Sequence, residues 1–147
     1  MPWTVGERFV DSDLAVPLHA VSVTGVVFKD DGRLLVIKRA DDGTWVPPGG
    51  LLETDEAVER GVVREVFEET GVTVRPVRLT GVYKNISLRT ISIAFLCRAE
   101  TGEPSVSDEA VDVRWMTPKE ADAVLPPLRA LRVRDALDPN GPFVRSY

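Results

Sequence analysis

The chain has 147 residues, 44% of them hydrophobic, a single cysteine and a net charge of −5, with a mean hydropathy of −0.03 and a pI near 4.9; this suits one well-packed domain over 1–147 and is too little for two. No apolar run reaches the roughly 20 residues of a membrane span, the N-terminus lacks the basic-then-apolar order of a signal peptide, and the acidic balance disfavours a groove-binding face for DNA or RNA while leaving a small nucleotide open. The expected compartment is the cytoplasm, where Cys97, inside the run TISIAFLCRA, is a buried, inert thiol.

In chain order, HAVSVTGVVFKDDGRLLVIKRA reads as two strands joined at Asp30-Asp31-Gly32, an Asp-Gly turn between β-branched stretches. TWVPPGG then predicts a loop: Pro47 and Pro48 stiffen it, and Gly49 and Gly50 permit positive φ and the close approach of another group. From about Thr54 to Thr70 the period becomes helical, with Val58, Val62 and Val66 down one side and Gly71 as the stop. Three β-rich segments follow, VTVRPVRLTGVYKN, RTISIAFLCRAE and AVDVRWMT. Pro118 opens a second helix, PKEADAVL, and PLRALRVRDAL gives a third. Strands, helix, strands, helices predict an α/β (α+β) fold, a mixed sheet with helices on its faces.

The end of the first helix carries an anomaly. Glu65, Glu68 and Glu69 stand at i, i+3 and i+4, so three like charges share one face at the negative end of the helix dipole. That face continues the apolar side of the helix rather than its solvated side. Glu56, Arg60, Arg64 and Glu68 follow one another at i+4 on an adjoining row, so Arg64 is expected to neutralise Glu68 and leave Glu65 and Glu69 free. One arginine cannot balance three acids. Carboxylates gathered in a cleft suit a hard divalent cation, Mg²⁺ in particular.

GLLETDEAVERGVVREVFEETGV, Gly50 to Val72, resembles the Nudix box: Gly50, five residues, Glu56, seven residues, Arg64-Glu65, aliphatic Val66, one residue, Glu68-Glu69, one residue, Gly71 and aliphatic Val72. Every fixed position agrees. The resemblance implies an αβα sandwich around a mixed sheet, with the box helix on one face. It implies hydrolysis of a diphosphate bond in a nucleoside diphosphate linked to another moiety. It also implies Mg²⁺, or Mn²⁺ as substitute, held by Glu65, Glu68, Glu69 and a main-chain carbonyl of Gly49-Gly50, with Glu56 and Arg64 positioning the acids. A later acid often completes such sites as ligand or general base. Glu109 is the candidate, Asp108 its rival, and Glu65 the other base.

Outside the box, Arg39 is a candidate for a substrate phosphate, and Tyr83 and Asn85 for the base or sugar pocket, while His19, Trp3, Trp45 and Trp115 read as packing residues. Motifs that would mark NADH pyrophosphatases or the coenzyme A group are missing, and Ser87-Leu88 stand where ADP-ribose hydrolases of this family carry a proline. Nucleoside triphosphates, including oxidised ones, are favoured through similarity to the small MutT-like group; nucleotide sugars and dinucleotides stay open. The competing reading is a non-catalytic nucleotide sensor, which tends to lose box acids. Residues 1–17 carry Trp3, Val5, Phe9, Val10, Leu14 and Val16, a large apolar load for a terminus, and are expected to pair two copies as a homodimer.

Overall fold

A computed structural model describes residues 16–147 of the chain. The pairing of two copies expected of residues 1–17 therefore lies almost wholly outside the described residues. Strands β1 (Ala20–Phe28), β2 (Leu34–Arg39), β3 (Trp45–Val46) and β4 (Gly49–Leu51) precede helix α1 (Val58–Thr70). Then come β5 (Thr73–Asn85), β6 (Thr90–Thr101), β7 (Ala110–Met116), α2 (Pro118–Val124), α3 (Pro127–Leu137) and β8 (Phe143–Ser146). The sheet runs β3-β2-β1-β6-β5-β8, with β4 added on β1 and β7 on β2. It is mixed: β1 pairs parallel with β6 from Ala20↔Thr90 to Phe28↔Arg98, whereas β5 and β6 form a long antiparallel hairpin.

Strand alternation assigns the two layers. Val23 and Val27 of β1 belong to a core with Val62 and Val66 of α1, Val72, Val74 and Phe95. Val26, on the opposite face, belongs to a second core with Leu34, Val36, Met116 and residues of α2 and α3. Helices therefore cover both faces, as the αβα expectation requires. Val62 and Val66 are 0% exposed, each worth roughly 1.5–3 kcal/mol of burial, and this anchors α1 against the sheet. Gly71 ends that helix at φ 75°, and its N–H caps the Phe67 carbonyl. Thr117 and Glu120 form a capping box that starts α2 behind Pro118.

Three expectations are corrected. The box helix begins at Val58, not near Thr54, because Glu56 accepts from the Glu53 N–H at 2.9 Å and holds the preceding residues in a turn. TWVPPGG is not all loop: β3 pairs with Ile37 and Lys38, and β4 pairs with Ser22–Thr24, on either side of Pro47-Pro48. Its glycines serve close approach rather than positive φ, since a side chain at Gly49 would collide with the Val23 carbonyl. The eighth strand, four residues of FVRS, is too short to leave a periodic signal.

Candidate active site

Strand β4 and the last two turns of α1 face each other across a cleft of about 510 Å³, whose walls include Arg39, Gly49, Gly50, Glu65, Glu68, Glu69, Asp108 and Glu109. The packing of Val62 and Val66 on β1 turns Glu65 and Glu69 inward, so they are 8% and 5% exposed. Glu68 sits at the rim with its side chain 56% exposed. Glycine at position 50 leaves room for the Glu65 carboxylate, which any side chain there would displace. Gly49 donates its N–H to Glu69 Oε1 at 2.8 Å.

Arg64 organises the acids, though not as the i+4 row suggested. Its Nε and Nη2 grip Glu56 at 2.8 and 2.6 Å, and its Nη1 reaches Glu65 at 2.8 Å and Glu68 at 3.2 Å. Glu65 is thus not free of it. The guanidinium holds Glu56 down to a pKa of about 2. Arg64 also donates to the Leu51 carbonyl at 3.1 Å, which ties the helix to β4. Glu56 and Arg64 together form a clamp that fixes the cleft walls.

The inward acids shift the other way from Glu56, both upward. Burial raises Glu65, against the Arg64 hydrogen bond and with the charges of Glu68 and Glu109 adding to the rise. Burial pushes Glu69 up to about 7; the Gly49 N–H opposes this, while the charges of Glu65 and Glu109 reinforce it. Carboxylates that resist ionisation because of one another and their burial form a donor set suited to a hard divalent cation. Among the described residues no three acidic side chains are closed around one point. Glu65 and Glu69 are instead each held by a protein donor, Arg64 and the Gly49 N–H.

The later acids both border the cleft, in the turn before β7. The Glu109 carbonyl accepts from the Ala40 N–H at 2.9 Å, which pins that turn to the end of β2. Arg39 lines the same cleft, with Nε and Nη2 on Asp41 at 2.9 and 2.5 Å. Tyr83 does not belong to a substrate pocket: it is 1% exposed, and its hydroxyl donates to Asp135 at 2.8 Å. Asn85 accepts from Ser87 Oγ and the Leu88 N–H, closing the β5–β6 turn, and it borders a different cavity, beside α3. Cys97 is fully buried with its thiol pushed up to about 12 by burial, which leaves it inert. Trp45 and Trp115 carry Arg114 and Lys29 over their rings, consistent with packing.

Sequence reasoning missed Arg129, Arg132 and Asp135 of α3. The available signal was charge on a face that otherwise reads as apolar: Ala130, Val133 and Ala136 are buried, and so are Arg132 and Asp135.

The NUDIX domain family model matches residues 18–137. A MutT-like protein of Streptomyces ambofaciens is 51% identical over 131 residues, 89% of this chain and 85% of the relative. An ADP-ribose pyrophosphatase of Methanocaldococcus jannaschii is 38% identical over 106 residues; the match takes in 67% of this chain but only 62% of the archaeal protein. In fold, a Nudix hydrolase structure from Nitrosomonas europaea superposes with a TM-score of 0.78 at 20% identity, covering 88% of this chain and 78% of the other. No helix among the described residues is long and apolar enough to cross a membrane. With the complete box folded onto this cleft and the family matched over most of its length, the chain belongs to the Nudix family of pyrophosphohydrolases.

Proposed function

We propose that the protein hydrolyses the diphosphate linkage of a nucleoside diphosphate joined to another group, with Mg²⁺ or Mn²⁺ held by Glu65, Glu68 and Glu69. The observation that carries this is the pair of inward, mutually repelling carboxylates, Glu65 and Glu69, in a cleft floored by Gly49 and Gly50. When bound, such an ion neutralises the pyrophosphate, acidifies a water and stabilises the charge on the leaving phosphate. Arg64 orients Glu65, and Gly49 orients Glu69. Glu109 takes the proton as water adds to phosphorus and the bridging P–O bond breaks, with Glu65 as the alternative base. Arg39, at the cleft wall, is placed to meet a substrate phosphate once it leaves Asp41.

The two relatives described above carry different names, a MutT-like protein and an ADP-ribose pyrophosphatase. The deciding experiment is therefore a panel of nucleoside triphosphates, 8-oxo-dGTP, ADP-ribose, nucleotide sugars and dinucleoside polyphosphates, each with Mg²⁺, Mn²⁺ and chelator. One class should be turned over with metal and not with chelator. Turnover that persists in excess chelator would defeat the assignment.

A further inference from the structure

Three cavities adjoin across β4 and β1. The carboxylate cleft shares Arg39, Val46, Gly49, Gly50 and Leu51 with a second cavity of about 320 Å³, which shares Ser22 and Arg129 with a third of about 560 Å³. The acids line the first of these and two arginines of α3 line the third. The ladder connects them closely: Gly49, which donates to Glu69, pairs with Thr24, and the Thr24 hydroxyl accepts from Arg132 at 3.2 Å. One strand spacing, about 4.8 Å, separates those two backbones.

Arg132 is 3% exposed, yet no carboxylate among the described residues pairs with it. Among the described residues its hydrogen-bond partners are the hydroxyls of Thr24 and Tyr147, its guanidinium lies 5.0 Å from the Tyr83 ring centre, and its buried Nε has no partner. Asp135, one turn on, is taken by the Tyr83 hydroxyl and by both Nε and Nη2 of Arg145. Arg129, one turn back, lines the same cavity and makes no side-chain hydrogen bond or ion pair among the described residues. It is lowered to about 10 by burial and by the Arg132 charge, so it remains a cation at neutral pH. A buried guanidinium with only neutral partners is costly unless an anion completes it. Ser22 and Ser92, hydrogen-bonded to each other at 2.5 Å, add hydroxyls to the same wall.

We infer that Arg129 and Arg132 form a second anion subsite, so that the preferred substrate carries an anionic group outside the diphosphate held at the carboxylates. This rests on the proposed reaction for the location of that diphosphate. The anion could be a phosphate on the ribose or the far phosphate of a longer polyphosphate chain. Either would reach the arginines by way of the middle cavity, and bidentate guanidinium–phosphate bonding suits both.

Binding of inert ligands tests the subsite without requiring turnover. Calorimetric titration in Mg²⁺ would compare 5′-AMP, adenosine 2′,5′- and 3′,5′-bisphosphate, and adenosine 5′-tetraphosphate with methylene bridges. At least one of the last three should bind about tenfold or more tightly than AMP, the scale of one charge-assisted contact, and which one does so identifies the source of the anion. Arg129→Gln should remove the advantage, and Arg129→Lys should restore most of it. Arg132→Lys, which keeps the charge but loses Nε, should reduce it, with the melting temperature checked to confirm folding. Equal affinity of all four ligands, binding by none, or an advantage that survives Arg129→Gln would overturn the subsite. If the subsite holds and the substrate panel shows no turnover, the proposed reaction is what fails.

Discussion

Glu69 and Asp135 are both buried acids, 5% and 3% exposed, on helices packed against opposite faces of the sheet, and their surroundings differ completely. Asp135 accepts two hydrogen bonds from Arg145 at 2.8 Å and one from Tyr83. Burial would raise it, but these donors outweigh burial and hold it below the usual carboxylate range. Glu69 has only one backbone N–H to set against its burial and the repulsion of Glu65 and Glu109, and it is pushed up to about 7. Within one fold, a buried carboxylate that serves structure is satisfied by the chain itself. One left short of positive charge beside a cleft is open to completion from outside.

Substitution should separate the two acids most sharply. Asp135→Asn removes a buried acceptor of three hydrogen bonds and should cost about 1–3 kcal/mol of stability, since Arg145, the partner it leaves, is 37% exposed and can be hydrated. At about 2–4 °C per kcal/mol for a chain of this size, calorimetry would read a fall of several degrees. Glu69→Gln should instead leave the metal-free melting temperature at neutral pH the same or higher, and lower turnover about 10²-fold or more by weakening metal binding. Millimolar Mg²⁺ should raise the melting temperature of the unmodified protein and do so much less in Glu69→Gln. A Glu69→Gln protein as unstable as Asp135→Asn would erase the distinction.

The next effect is smaller and confined to the cleft. Glu109→Gln should reduce kcat by about 10²-fold, the scale of a lost proton-transfer group, whereas Asp108→Asn should change it less than about threefold by the same reasoning. Of the two acids, it is Glu109 whose charge helps to raise both Glu65 and Glu69. Equal, small losses in both variants would return the base to Glu65.

The two acids also differ in how far they could be read from sequence. Glu65, Glu68 and Glu69 were legible because helical spacing puts them on one face, and their wrong sign for the helix dipole marks them without tertiary knowledge. Glu56 could be placed on the row of Arg64, but the sequence pointed Arg64 at Glu68 and its grip on Glu56 was not legible, because the turn at Glu53–Glu56 carries Glu56 in from outside the helix. The Asp135 side was hidden. Tyr83 lies 52 residues from Asp135, and Arg132 lies 108 from Thr24, so no local period can report either pairing. A helix pattern alone places arginines in solvent. Tyr83 was misplaced for the same reason, since alternation along β5 gives two faces without saying which one α3 covers.

The smallest expected effect is a pH dependence of stability in the metal-free protein. An acid whose folded pKa lies above its unfolded value binds more protons when folded, so stability falls as pH rises between the two values. For Glu69 that window runs from about 4.5 to about 7, and Glu65, also raised, acts in the same direction. Asp135 and Glu56 are lowered, Glu56 to about 2; their contributions are present above the ordinary carboxylate range and are lost only in stronger acid, outside this window. In chelator, the melting temperature should therefore drop by several degrees between pH 5 and pH 7.5, at about 1.4 kcal/mol per pKa unit as an upper scale. Glu69→Gln should flatten most of that slope, because its amide still accepts from the Gly49 N–H but has nothing to ionise. Saturating Mg²⁺ should flatten it as well, by favouring the ionised form. A slope that persists unchanged in Glu69→Gln would mean that Glu69 ionises normally in the fold, and its contrast with Asp135 would then rest on geometry alone.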